Sequence, residues 1–248
     1  MKYNPYTASS LGTFAQCPRK FKYYKIDKIK VPRVRTDALV RGELIHLFLE
    51  HNEDDLSKQI PRIKYLQKRD KGITKELVKE SYDIFTRYKN GPIGKKYLSL
   101  KSLGRELKIA LKIENKTLVP CKYDDPDAIY RGLIDAVFVD TDTDKVYIID
   151  WKSGKDKSTG TYKQTPDQLL YYASWYFTNF PVDNISIVYA FVEHNTELKY
   201  ELTRDRVKHY NKLLLKNISE VEKEQQFPKE ESPLCDYCDY QDHCMKDF

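Results

Sequence analysis

Two apolar runs, each interrupted by a single acid, constrain this chain more than any other feature. "YRGLIDAVFVD", residues 130–140, places Asp135 among Ile, Ala, Val and Phe, and "KVYIIDWK", residues 145–152, ends its apolar stretch at Asp150. Both are rich in β-branched and aromatic residues, and "DTDTDK" between them reads as a turn, so the pair is expected to form an antiparallel hairpin. Such a hairpin brings Asp135 and Asp150 toward one point of a sheet. Lys152 follows Asp150 by two positions, and side chains two apart in a strand share a face.

Acid–x–Lys spacing alone selects nothing. The chain has four such triplets, Glu106–Lys108, Glu114–Lys116, Asp150–Lys152 and Glu197–Lys199, and an exposed ion pair explains three of them. Context singles out the third. Two carboxylates close together in apolar surroundings repel one another and need a cation. A hard divalent ion with oxygen ligands fits that need. With a lysine beside it, the set suits phosphodiester hydrolysis: a metal to polarise the phosphoryl oxygen and acidify water, a cation to offset developing charge.

Around the hairpin the pattern is mixed. "TASSLG" offers Ser9 or Ser10 as a helix cap, and Pro18 suits the first turn of a second helix capped by Cys17. Residues 37–52 read as an amphipathic helix with Leu39, Gly42, His46 and Leu49 along one face, residues 53–73 are ambiguous, and 74–90 are helical again. After Gly104 the strand-like runs "ELKIALKI", "NISIVYAFV" and "ELKYELT" accompany the hairpin. A helix, "TPDQLLYYASWYFTNF", separates the hairpin from the later strands, and a polar helix over about 203–226 leads to the cysteine-rich tail. The expectation is an α/β fold, a mixed central sheet flanked by helices, with helical N- and C-terminal regions that meet.

Charge is localised. Arg19 to Arg35 carries eight basic residues against one acid, whereas the remaining 35 basic and 36 acidic residues nearly cancel. Tyr and Phe interleave with Lys20, Lys22, Lys25, Lys28, Lys30, Arg33 and Arg35. That is either a phosphate-tracking surface with stacking partners or a solvated helix face with its aromatics turned inward. No signal-peptide pattern or membrane-length apolar run occurs, so a cytoplasmic location without a membrane partner is expected. Five cysteines in a reducing compartment read as thiols or metal ligands.

These residues resemble the PD-(D/E)xK nucleases, specifically the RecB-type branch. Asp135 stands where that motif has its first Asp, and Asp150-Trp151-Lys152 matches its D/E-x-K. Gln168 and Tyr172 in "QLLYYA" match the Q-x-x-x-Y element of the branch, and "RGELIH" is similar to its glycine–histidine element. The motif's proline is replaced by Ile134, a departure common in the branch. The resemblance implies a restriction-endonuclease-like core. It implies Asp135, Asp150, Lys152, Gln168 and Tyr172 as the catalytic group, with Mg²⁺ or Mn²⁺ held by His46, Asp135, Asp150 and the backbone carbonyl of Trp151. Glu106 lies where relatives often carry a supporting acid.

The tail "CDYCDYQDHC" supplies Cys235, Cys238 and Cys244. Cys17 is the natural fourth ligand, but His243 also completes a tetrahedral zinc site on its own, and both readings are open on the residues alone. Cys121, beside the strands, reads as a buried structural thiol. One early cysteine and three at the C-terminus resembles the AddB-type nuclease domains and the iron–sulfur nucleases of CRISPR adaptation. The resemblance implies a [4Fe–4S] cluster on Cys17, Cys235, Cys238 and Cys244, with zinc as the alternative.

The expected organisation is a single domain, 1–248, with residues 1–36 and 227–248 forming an iron–sulfur and basic region around a core of about 37–226. No G-x-x-x-x-G-K-[ST] occurs, so no helicase motor is expected in the chain. The resemblance favours an exonuclease on DNA that is single-stranded or has free ends, in recombination, repair or phage DNA processing, working beside a separate helicase or recombination protein. Readings of other classes are an inactive nucleic-acid-binding module of the same fold and a zinc-stabilised structural subunit.

Overall fold

The strand-forming runs assemble as their alternation requires, and a computed structural model describes the result for residues 3, 5–32, 35–70, 72–154 and 166–246. Helices α1 (Ala8–Gln16) and α2 (Pro18–Phe21) come first, and α2 runs on as a π-helical turn, Lys22–Ile26. Four helices follow: α3 (Asp37–His51), α4 (Leu56–Arg69), α5 (Lys75–Asn90) and α6 (Pro92–Leu98). Then come β1 (Lys101–Glu114), β2 (Thr117–Pro120), β3 (Tyr130–Asp140), β4 (Lys145–Lys152), α7 (Asp167–Asn179), β5 (Asn184–Phe191), β6 (Thr196–Thr203), α8 (Val207–Lys223) and α9 (Gln241–Lys246).

The six strands form one sheet in the order β2-β1-β3-β4-β5-β6. Neighbours are antiparallel except β4 and β5, which run parallel. A parallel pair needs a crossover, and α7 lies on it. The sheet divides two apolar layers. On one face Leu169, Phe177, Tyr210 and Leu214 from α7 and α8 pack on Ile134, Ile148 and Ile187. On the other, Leu44, Phe48, Phe85 and Tyr97 from α3, α5 and α6 pack on Phe138, Ile149 and Trp151. This is the α/β, restriction-endonuclease-like arrangement that the sequence implies.

Several boundaries differ from the sequence reading. Thr7, rather than Ser9 or Ser10, caps α1, and Ser10 reaches back to the Thr7 backbone in a capping box. Leu39 is 56% exposed; the buried stripe of α3 is Val40, Leu44, Ile45, Phe48 and Leu49. The charged stretch after residue 53 forms α4 even though it contains Pro61. The polar helix is shorter than expected, because β6 extends through Thr203 and a single 3₁₀ turn, Arg204–Arg206, precedes α8. Cys121 is half-buried rather than buried.

The two chain ends meet on the α7–α8 side. Tyr6 exchanges backbone hydrogen bonds with Ile129 and Arg131 at 2.7 and 2.8 Å, and its hydroxyl donates to Glu222 at 2.7 Å. Phe21 stacks on Phe227 with Tyr3 and Phe14 at their edges, and Arg19 donates to the Phe227 and Pro228 carbonyls. Beyond Phe227 the tail has almost no core: Tyr240 is the buried residue between 228 and 245.

Candidate active site

The hairpin registers from Asp140↔Lys145 to Ala136↔Ile149 and then opens. One step beyond stand Asp135 and Asp150. Asp135 Oδ2 accepts the Trp151 backbone N–H at 2.7 Å, which ties the two strands across the fork. Trp151 itself is buried against α3 and fixes the backbone there. The β1–β3 ladder is interrupted at the same level, since Arg105↔Ala136 and Leu107↔Ile134 flank Glu106 and Asp135. Glu106 has φ 49°, a left-handed conformation uncommon for a residue with a Cβ. Backbone irregularity of this kind re-aims a side chain out of the pleat.

Two helices bring the remaining groups from opposite layers. From α3, His46 places Nδ1 3.7 Å from Asp135 Oδ2 and its ring edge-on to Trp151, with the centres 6.3 Å apart. That close approach relies on Gly42, where a Cβ would stand 2.8 Å from Ser153 Oγ. From α7, Gln168 Nε2 donates to Asp150 Oδ1 at 3.0 Å and to the Tyr172 hydroxyl at 2.7 Å, and Tyr172 donates to the Leu133 carbonyl at 2.7 Å. Asp150 Oδ2 makes no hydrogen bond of normal geometry and ion-pairs with the Lys152 ammonium, which rests 4.6 Å from the Tyr189 ring centre. Of the four acid–x–Lys triplets, this is the one whose acid and lysine pair with each other among the described residues. Glu114 and Glu197 pair instead with Lys112 and Lys96, and Glu106 turns toward His46 and Asp135.

Ligand atoms of His46, Glu106 and Asp135 all lie within 4.8 Å of one another. Burial first, then the negative charges of Asp135 and Glu50, pushes Glu106 up to about 7. Burial and the nearby Asp150 raise Asp135 well above the usual carboxylate range. Burial also raises Asp150, against the pull of Lys152 and His46. Burial holds the His46 imidazole below its usual range, which keeps it a neutral donor. Several buried acids beside one neutral imidazole form a site short of positive charge, and a divalent cation with oxygen and nitrogen ligands fits it. The site opens into a cleft of about 670 Å³.

The chain matches the PD-(D/E)XK nuclease superfamily model over residues 5–245. The chain belongs to the PD-(D/E)XK nuclease superfamily. Nucleases of the superfamily use divalent metals, and the His46, Glu106 and Asp135 group answers to that requirement. No curated protein gives a significant match. Among solved structures, "Crystal structure of SSO0001" aligns over 98% of this chain and 88% of that one, at 16% identity and a TM-score of 0.41, a likeness too slight to argue from.

All the candidate residues of the cleft, His46, Glu106, Asp135, Asp150, Trp151, Lys152, Gln168 and Tyr172, converge at this PD-(D/E)XK fork. Glu50, which bears on Glu106, escaped the sequence reading. Its signal was available, since it stands one helical turn after His46. The Leu133 carbonyl that anchors Tyr172 left no sequence signal.

The other predicted residues lie elsewhere. Cys17, Cys235, Cys238 and Cys244 line one cavity of about 280 Å³ between α2 and the tail. All five cysteines are free thiols. Cys17 caps α2, its sulfur accepting from the Lys20 backbone at 3.5 Å. The basic segment is not one uniform face. Lys20 lines the cysteine cavity, Lys22 pairs with Asp27, and Lys25 donates to the Pro5 carbonyl. Arg35 is held by Glu43 and Asp70, whereas Lys28 and Lys30 are exposed. Arg33 lies outside the described residues. No helix among the described residues is long and apolar enough to cross a membrane.

Proposed function

We propose that this chain is a Mg²⁺- or Mn²⁺-dependent deoxyribonuclease of the RecB-type branch that hydrolyses phosphodiester bonds from DNA ends. The observation that carries the reading is the meeting of His46, Glu106 and Asp135 beside the Asp150–Lys152 pair. His46, Asp135, Asp150 and the Trp151 carbonyl would hold the ion, with Glu106 as a further carboxylate. A divalent ion there supplies Lewis-acid charge to the scissile phosphoryl oxygen and to an attacking water. Lys152, beside Asp150, would face the charge that develops on phosphorus. Gln168 and Tyr172 act through Asp150, fixing one carboxylate oxygen so that the other points into the cleft.

In this proposal the four cysteines hold a [4Fe–4S] cluster and the whole chain works as one domain. Two features favour a cluster over zinc. A tetrahedral zinc with sulfur at about 2.3 Å gathers its sulfurs within about 4 Å of one another. Among the described residues no three of these sulfurs lie within 4.8 Å, and they instead surround a cavity. The tail also lacks the apolar burial to order itself, and a ligand that bridges it to Cys17 would provide that order.

End-labelled linear DNA and covalently closed circles, single- and double-stranded, test the function with Mn²⁺ present. Progressive loss of the linear substrates with intact circles supports an exonuclease. Nicked circles would make it an endonuclease, and no cleavage of any substrate by metal-loaded protein would leave a binding module. Recombination, repair or phage DNA processing beside a separate helicase or recombination protein is the setting this reading favours.

A further inference from the structure

The β3 strand does not end at the cleft. Counting back from Asp135, Leu133 and Arg131 are the alternate positions, and side chains at that spacing stand about 7 Å apart on one face. Leu133 lines the catalytic cleft and is 39% exposed. Across the ladder, Lys108 of β1 registers with Leu133, and Ala110 with Arg131, so each pair projects to the same side. A small residue at Ala110 leaves the Arg131 side chain room to lie over the sheet.

Tyr123, in the loop between β2 and β3, is set into this strip. Its ring centre lies 5.6 Å from Lys108 Nζ and 5.4 Å from the Arg131 guanidinium carbon. The two cations are therefore held close together on one aromatic support. Arg131 donates to the Asp125 carbonyl at 3.2 Å, but its Nε is buried without a hydrogen-bond partner among the described residues. Asp125, whose carbonyl Arg131 meets, has its carboxylate engaged by Lys112 at 3.3 Å. Farther along, Lys25 sits within the positive field of Arg131 and Lys28. A row of cations this close, supported by one ring and short of acid partners, is a surface shaped for a polyanion.

We infer that Lys108, Tyr123 and Arg131 form a track for the nucleotides next to the scissile phosphate, leading a single strand of nucleic acid from the cleft toward Lys25 and Lys28. The inference rests on the nuclease reading of the cleft. The spacing between Leu133 and Arg131 is close to the interval between successive phosphates of an extended single strand. Lys108 and Arg131 would each take a phosphate, while Tyr123 keeps their heads from drifting apart. Leu133, apolar and exposed at the start of the track, offers a surface for the first base or sugar.

Lys108→Glu is the decisive variant, because Lys108 is exposed and its replacement spares the core. Tyr123→Ala tests the support. Three quantities are read on the full-length protein with Mn²⁺: affinity for a labelled single-stranded oligonucleotide across a salt series, KM and kcat for its cleavage, and turnover of bis(p-nitrophenyl) phosphate. The small ester reaches the cleft but is too short for the track. Lys108→Glu is expected to raise KM and Kd for the single strand about tenfold and lower the salt slope by about one, with kcat nearly unchanged. Turnover of the small ester should equal that of the unmodified protein, and Tyr123→Ala should reproduce part of the KM effect. Unchanged single-strand affinity in Lys108→Glu overturns the track, as does an equal loss on both substrates. An effect confined to duplex DNA overturns its assignment to a single strand. If the unmodified protein cleaves neither substrate, the nuclease reading fails, and the oligonucleotide affinities still decide whether the track exists.

Discussion

The acid cleft and the cysteine cavity are both lined by candidate metal ligands, yet they are built in opposite ways. The cleft's donors sit on β1, β3, β4, α3 and α7, and hydrogen bonds already fix them: Trp151 N–H to Asp135, Gln168 to Asp150, Tyr172 to the Leu133 carbonyl. The cavity's donors come from the cap of a four-residue helix and from a tail whose buried residue is Tyr240. The first site is pre-organised by the sheet and needs a cation chiefly to balance charge. The second has thiols within reach but little packing behind them, so its ligand would also supply order. Losing the metal from one should stop chemistry, and losing it from the other should loosen structure.

That contrast can be broken by substitution. The largest effect is expected at the cleft: Lys152→Ala should lower turnover by about two orders of magnitude or more, as removal of a charge-stabilising donor does. Oligonucleotide affinity should change little, because one lysine carries a small share of the electrostatic binding. Near-normal turnover in the folded variant would return Lys152 to a plain ion-pair partner.

At the cavity the outcome should be structural. Anaerobically purified protein should be brown, with a broad absorption near about 400 nm and about four irons per chain. Cys17→Ser and Cys244→Ser should each lose that iron and lower the yield of soluble protein, although the two residues stand at opposite ends of the sequence. Cys121→Ser should keep it. Colourless protein with about one zinc per chain would replace the cluster with the simpler site.

The two regions also differ in what was legible beforehand. Both sets of candidate ligands stood out as motifs, whereas what they bind is not in the sequence, and the hairpin register that brings Asp135 to Asp150 follows from apolar alternation and a turn. The left-handed backbone at Glu106 does not, because a residue with positive φ inside an otherwise unshifted ladder looks like an ordinary strand residue in the sequence. For the same reason Glu106–Lys108 resembled a surface pair until the sheet turned the acid inward. The basic segment was visible as charge, but its division into cavity wall, ion pairs and exposed lysines depends on acids far away in sequence, such as Asp70 for Arg35. Helix α6 and strand β2 were missed because each is too short for periodicity to register.

A smaller effect concerns pH. Glu106, pushed up to about 7, keeps its proton in the folded metal-free protein where the unfolded chain has lost it. The folded state then binds more protons, so stability should fall as pH rises from about 4.5 to about 7, and the raised Asp135 extends the loss upward. A cation favours the ionised acids, so the Mn²⁺-induced increase in Tm should grow with pH over that window. A pH-independent increment in thermal scans would show that these acids do not bind the ion. The smallest effect belongs to Gly42→Ala. Its new methyl meets the Ser153 hydroxyl, which can rotate away, so activity should fall only about a few-fold, and Ser153→Gly should restore it.

The central claim, that the acids of the cleft work by holding a divalent ion for phosphodiester hydrolysis, is tested most directly by following DNA cleavage while metal is removed and returned. Asp150→Asn protein from the same preparation serves as the control for contaminating nucleases. Cleavage should disappear in excess EDTA, return with Mn²⁺ or Mg²⁺, and be absent from Asp150→Asn at every metal concentration. Undiminished cleavage in excess EDTA, by a protein whose Asp150→Asn variant is inactive, would contradict it.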